Sequence, residues 1–223
     1  MFSKTYKHVF NIVLKLIILF LVFATIGVLA YRSRTINEIK SVNMTNENKN
    51  NVTKDQPAIN GQTLAFPIND FKSRITKKSF GTYVEPGNSP VSLERFRGYH
   101  TAVDVEYEDV ETEVPVVAIT DGMVEYRNYV SGYGGVIIIR HQIANQEILT
   151  LYGHLKLETI INEREVKKGQ QIGILGQGYT KETDQERKHL HFGMIKGNKL
   201  NLRGYVQTKA ELDGWYNPLD FYQ

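Results

Sequence analysis

The residues with the clearest chemical potential are histidines. The chain has six, and two of them flank Leu190 in KHLHF, residues 188–192. In a strand, positions i and i+2 point to the same face, so His189 and His191 project side by side. Neighbouring imidazoles suit a metal ion or a proton-transfer site. His100 opens HTAVD, with Asp104 four residues on, and His154 closes LYGH. A catalytic zinc site takes three protein ligands and keeps a position for water, and His and Asp are suitable donors. His100 and Asp104 supply two if the backbone bends between them, because a fully extended chain holds them about 13 Å apart. That expectation puts His100 in the loop after Arg97-Gly98 and Asp104 on the strand that follows. The HLH pair supplies the third ligand and leaves one imidazole free on the same face. His154 offers another imidazole at a strand end.

Other features carry less. His141 follows the run VIIIR and reads as a hydrogen-bonded edge residue, and His8 precedes an apolar segment with no evident role. GYGG at 132–135 and GILGQG at 173–178 lack a following Lys-Ser/Thr and a βαβ context, so they read as tight turns rather than phosphate loops. No G-x-S-x-G elbow supports a serine hydrolase. Thirteen tyrosines are available to line a groove, and nothing in the sequence singles one out. Cysteine is absent, so thiolate zinc sites and disulfides are excluded and any metal must use His, Asp or Glu.

The elements that must position these residues are short strands. VPVVAI at 114–119 is apolar, Asp121-Gly122 turns the chain, and Met123 to Tyr126 continues as a strand. VIIIR at 136–140 is β-branched and fully buried by its pattern. Residues 147–152, 170–175 and 189–195 complete the series, separated by glycine and polar turns. The fold expected is mainly β, a β-rich α+β domain over residues 61–223 with an antiparallel sheet.

The N-terminal part differs. Residues 9–31 are apolar apart from Asn11, Lys15 and Thr25, long enough to cross a bilayer as a helix. They read as a transmembrane signal-anchor after a cytoplasmic stretch, residues 1–8, which makes the membrane a partner of the chain. The alternative is a secreted protein released by cleavage near Ala30, where Val28-Leu29-Ala30 offers small residues. Residues 32–60 hold seven asparagines and no aromatic residue, as a disordered linker would. The net charge of +3 belongs to Lys4, Lys7 and Lys15. The remainder balances 24 basic against 24 acidic residues, which leaves no excess positive charge to drive nucleic-acid binding.

The order of the motifs resembles the lysostaphin-type, or LytM-like, zinc endopeptidases. The resemblance rests on His100-x3-Asp104, Tyr152-Gly153-His154-Leu155, VKKGQQIGILG at 166–176 and His189-Leu190-His191-Phe192. VPVVAITDGMV at 114–124 and YNPLDF at 216–221 support it. It implies an open groove over an antiparallel sheet and one Zn2+ per domain held by His100, Asp104 and His191, with His154 and His189 in the catalytic positions. It also implies hydrolysis of peptide bonds in bacterial cell-wall peptidoglycan by a metal-activated water, outside the cytoplasm. Some members lack site residues and serve as non-catalytic activators of other wall hydrolases; this chain keeps all five. It departs from the usual pattern in three places: Thr101-Ala102-Val103 lacks the common glycine, Gly193 replaces a polar residue after HLHF, and YTKETDQERK at 179–188 is longer and more charged than the usual loop.

Overall fold

The computed structural model describes residues 58–59 and 62–223. The candidate transmembrane segment, the cytoplasmic stretch and nearly all of the candidate linker lie outside them. Among the described residues no helix is long and apolar enough to cross a membrane.

Among the described residues, fourteen strands follow one another. A small hairpin pairs β1 (Ala58–Ile59), at the end of the candidate linker, with β2 (Gln62–Thr63). Then come β3 (Tyr83–Val84), β4 (Gly98–His100), β5 (Ala102–Glu106), β6 (Pro115–Val117), β7 (Gly122–Val130), β8 (Gly134–Ile143) and β9 (Gln146–Leu155). After these come β10 (Glu165–Val166), β11 (Gln171–Ile174), β12 (His189–Lys196), β13 (Tyr205–Val206) and β14 (Trp215–Tyr216). Among the described residues, helix is confined to short 3-10 turns. The expected class, mainly β and antiparallel, is what the domain shows.

The main sheet runs β10-β7-β8-β9-β12-β14, and β5 joins the free edge of β12 ahead of β14. The run VIIIR explains why β8 is central. Val136 and Ile138 enter one apolar cluster with Leu149, Leu151 and Trp215, while Ile137 and Ile139 enter the other with Tyr152, Phe192 and Phe71. A strand that is apolar at every position is buried on both faces, because successive side chains alternate sides.

The same alternation divides β12. Leu190, Phe192 and Met194 enter the larger core, whereas His189 and His191 point to the opposite face. On β5, Val103 and Val105 likewise face that core and leave Asp104 and Glu106 beside the histidines.

A second, three-stranded sheet orders β13-β4-β3 and pairs His100 with Tyr205. His100 therefore closes a short strand instead of sitting in a loop. The bend expected between His100 and Asp104 falls at Thr101, where the chain leaves one sheet for the other. Its amide donates to the Gly204 carbonyl at 3.0 Å and its hydroxyl to the Arg203 carbonyl at 2.8 Å. His141 is hydrogen-bonded as its sequence context suggests, to the Asp121 carbonyl and the Thr150 hydroxyl, both at 2.9 Å. It belongs to the central strand β8 and not to an edge.

Candidate metal centre and active site

Register builds the site. Across β12 and β5, His191 lies opposite Asp104 and His189 opposite Glu106. Directly opposed residues share a face, so two imidazoles and two carboxylates form one polar square. The Thr101 bend then brings His100 over its edge. His100 Nε2, Asp104 Oδ1 and His191 Nδ1 stand 3.1 to 3.2 Å from one another, and all three residues are buried. The spacing suits a small cation: ligand atoms about 2.0–2.1 Å from a tetrahedral zinc stand roughly 3.4 Å apart. The strongest sign is Asp104 Oδ1. It is buried and accepts no hydrogen bond, although two nitrogens lie at 3.2 Å. A buried anionic oxygen without a partner is costly, and a cation at the centre of the triangle would remove that cost. Among the described residues, these three form the group able to hold a metal. Their second nitrogens are committed elsewhere: His100 Nδ1 lies 3.3 Å from the Ser79 carbonyl, and His191 Nε2 lies 3.5 Å from the Tyr133 hydroxyl. Outer contacts of this kind fix the tautomer that leaves the inner nitrogen free for a metal.

His154 and His189 stand beside the triangle, with ring centroids 4.2 Å apart. The sequence alone does not explain why His154 faces this way. Gly153, its neighbour, pairs with His191 and so occupies the site face. By alternation His154 would point to the opposite side. A left-handed backbone, φ +61°, turns it back. That conformation costs a non-glycine residue roughly 1–2 kcal/mol and is held by two backbone hydrogen bonds, from His154 to Tyr133 and from Gly176 to His154. Such strain gathers at functional sites.

His154 Nδ1–H donates to the Thr183 carbonyl at 3.2 Å, and His189 Nδ1–H to the Arg187 carbonyl at 2.8 Å. Each ring therefore keeps an unprotonated Nε2, that of His189 lying 3.4 Å from Asp104 Oδ2. Burial, reinforced by His191, pushes His154 down to about 3. Burial and Arg187 push His189 well below the usual histidine range, and burial brings His191 to about 4. The imidazoles are neutral near pH 7 and can bind a metal or accept a proton. For Asp104 burial works the other way, but His100, His189 and Arg187 outweigh it and hold its carboxyl well below the usual range.

Two participants escaped the sequence reading. Tyr133 lies in GYGG, read as a turn, yet its ring packs edge-on against His191 with centroids 5.0 Å apart. Burial and the Asp104 charge raise its hydroxyl, so it stays protonated and able to donate. Arg187 lies in the charged stretch 179–188, one of the departures from the usual family pattern. It is buried, and its Nη2 donates to Asp104 Oδ2 at 2.8 Å. That stretch also supplies the Thr183 and Arg187 carbonyls that orient both free imidazoles. Asp104, Tyr133, His154, Arg187, His189 and His191 border one cleft of about 300 Å3, which Phe96, Arg203 and Tyr205 also line.

Residues 98–202 match peptidase family M23. Among similar proteins, the murein hydrolase activator NlpD of Salmonella typhimurium is 37% identical over 96 residues, covering 42% of this chain and 23% of that protein. The chain thus spans about a quarter of the length of such relatives. Lipoprotein NlpD of Yersinia enterocolitica is 34% identical over 97 residues, covering 43% of this chain and 92% of that protein. Among solved structures, a SpoIIIAH and SpoIIQ complex gives a TM-score of 0.47 at 20% identity, covering 71% of this chain and 99% of the other. The catalytic domain of lysostaphin from Staphylococcus simulans gives 0.43 at 20% identity, covering 65% and 88%. The matched span contains every histidine and aspartate of the site, and nearly the whole Yersinia sequence aligns at 34% identity; the chain belongs to peptidase family M23, the LytM-like family.

Proposed function

We propose that this chain is a zinc-dependent endopeptidase that hydrolyses peptide bonds of bacterial cell-wall peptidoglycan. One observation carries the proposal: the unpartnered Asp104 Oδ1 within the His100–His191 triangle, with two neutral imidazoles beside it. His100, Asp104 and His191 would hold one zinc ion. Bound there, zinc would lower the pKa of a coordinated water toward about 7 and polarise the scissile carbonyl. The protein's own groups do the rest. Nε2 of His154 or His189 takes the proton of the attacking water and later returns it to the leaving amine. The other Nε2, also unprotonated, can accept a hydrogen bond from the same water, and the developing oxyanion needs an O–H or N–H donor of its own. The Tyr133 hydroxyl, at the same cleft wall, offers such an O–H. The Thr183 and Arg187 carbonyls keep both rings in the working tautomer.

The proposal extends to placement. Residues 9–31 anchor the chain in the cell membrane, residues 32–60 tether it, and the domain of residues 61–223 works outside the cytoplasm. The envelope setting suggested by relatives named lipoprotein and murein hydrolase activator agrees with it.

Those same names favour a second reading, a non-catalytic activator of other wall hydrolases. An activator of that kind has no need of the Asp104 triangle or of the strained His154 backbone. Dye release from labelled sacculi, with and without a chelator, separates the two. Chelator-sensitive release supports the peptidase. Wild-type protein that binds wall material, releases no dye and stimulates a partner hydrolase supports the activator.

A further inference from the structure

We propose that Arg187 is a positioning residue for the candidate metal centre: together with Glu106 it locks the Asp104 carboxylate so that Oδ1 alone is presented to the ion. This inference rests on the zinc reading above.

The two oxygens of Asp104 have different surroundings. Oδ1 faces His100 and His191 and accepts no hydrogen bond. Oδ2 takes the Arg187 Nη2–H at 2.8 Å, with the unprotonated His189 Nε2 farther off at 3.4 Å. The same guanidinium reaches Glu106 through Nη2 at 2.6 Å and Nε at 2.8 Å. Asp104 and Glu106 are two positions apart on β5, hence on one face, and the planar fork of Arg187 spans them. If Asp104 turned to offer both oxygens, it would break the Arg187 bond where only 4% of that residue is exposed and little water could replace it.

Charge separates this role from ordinary structural pairing. One carboxylate would neutralise Arg187. Two carboxylates leave the buried trio one negative charge in excess, which is offset only by the part-exposed Lys77, its Nζ 3.9 Å from Glu106. A dication in the triangle would offset it directly. Glu106 offsets the Arg187 charge that would otherwise oppose the metal, so the arginine can orient Asp104 without weakening the site. The Arg187 backbone takes part as well, since its carbonyl accepts the His189 Nδ1–H. One residue thus orients the ligand carboxylate with its side chain and a neighbouring imidazole with its main chain.

The test measures zinc affinity of the full chain by chelator competition, together with the visible spectrum of the Co2+-loaded protein. R187K keeps the charge but loses the fork. The double variant R187Q/E106Q keeps the net charge and loses the clamp. Both are expected to bind zinc about 10- to 100-fold more weakly than wild type. Their cobalt absorption should fall in intensity as a second Asp104 oxygen joins the coordination shell, a change that a merely structural role would not produce. Should the double variant fail to fold, R187K decides. Wild-type affinity and an unchanged cobalt spectrum in R187K would overturn the proposal. A wild-type chain that binds no zinc would instead overturn the zinc reading itself, so the two failures are distinguishable.

Discussion

His191 and Asp104 face each other in register across β12 and β5, with Nδ1 3.2 Å from Oδ1. The sheet itself therefore fixes the distance between two of the three candidate ligands. Ligands on paired strands hold their geometry better than ligands on loops. Removing either should abolish the site while leaving the sheet. We expect His191→Ala and Asp104→Ala to fall from about one zinc per chain to near none by ICP-MS, with the far-UV spectrum preserved. Wild-type zinc content in Asp104→Ala would contradict the ligand assignment.

His154 and His189 should behave differently. Neither belongs to the triangle, so His154→Ala and His189→Ala should retain zinc. Turnover on labelled sacculi should drop by roughly 10²–10⁴-fold, the usual contribution of a general acid or base. Loss of zinc along with turnover would move the affected histidine into the ligand set.

The metal-free protein should be acid-labile in a defined window. Burial holds His141 and His191 at about 4 and His154 at about 3 in the folded chain, against about 6.5 when unfolded. The unfolded state therefore binds more protons below pH 6.5. Stability is full above that pH, falls through pH 6 to 4, and levels only below the folded values. Each group contributes up to about 1.4 kcal/mol per pH unit in that range. Asp104, held low, adds loss only below about 3.9, the unfolded carboxyl value. Calorimetry of chelator-treated protein should show the melting temperature dropping steeply from pH 6.5 to 5. A flat profile there would mean that these imidazoles are already protonated or exposed.

How much of this was legible in the sequence depends on distance along the chain. His189 and His191 could be read together because strand alternation is a local rule, and Leu190 between them is buried in the opposite core. His100 and Asp104 were legible as a pair, but the three-residue strand ending at His100 was not. It exists through pairing with Tyr205, more than a hundred residues away. Arg187 was hidden for a similar reason. A charged stretch reads as solvated, and only the placement of Asp104 and Glu106 on one face of β5 makes burial of a guanidinium favourable. Tyr133 was hidden by its glycine neighbours, which signal a turn whatever the side chain does. The His154 strain has no sequence signature at all, since it arises from the clash between strand alternation and the face that the site requires.

Tyr133 yields a milder prediction. Tyr133→Phe keeps the ring against His191 and removes the hydroxyl that faces His191 Nε2, so zinc affinity should fall by about 10-fold while the melting temperature changes little. If the hydroxyl donates to the oxyanion, kcat should fall by about 10-fold or more, with KM nearly unchanged. Equal activity would reduce Tyr133 to a packing role.

Gly153 links the sheet to the chemistry most directly. It pairs with His191, and a Cβ there would stand 2.6 Å from Tyr133 Cδ1 and 3.5 Å from His191 Cβ. The first distance is far below contact, so the Tyr133 ring must shift. That ring is packed against both His154 and His191. Overpacking of this kind costs about 1–3 kcal/mol. Gly153→Ala should therefore lower the melting temperature and weaken zinc binding, although residue 153 offers no ligand and touches no substrate. Gly153→Ala/Tyr133→Ala removes the clashing ring and should restore part of the zinc affinity, though not the turnover that depends on the hydroxyl. If the double variant recovered nothing, the effect of the alanine would lie in the β9 backbone and not in the ring it displaces.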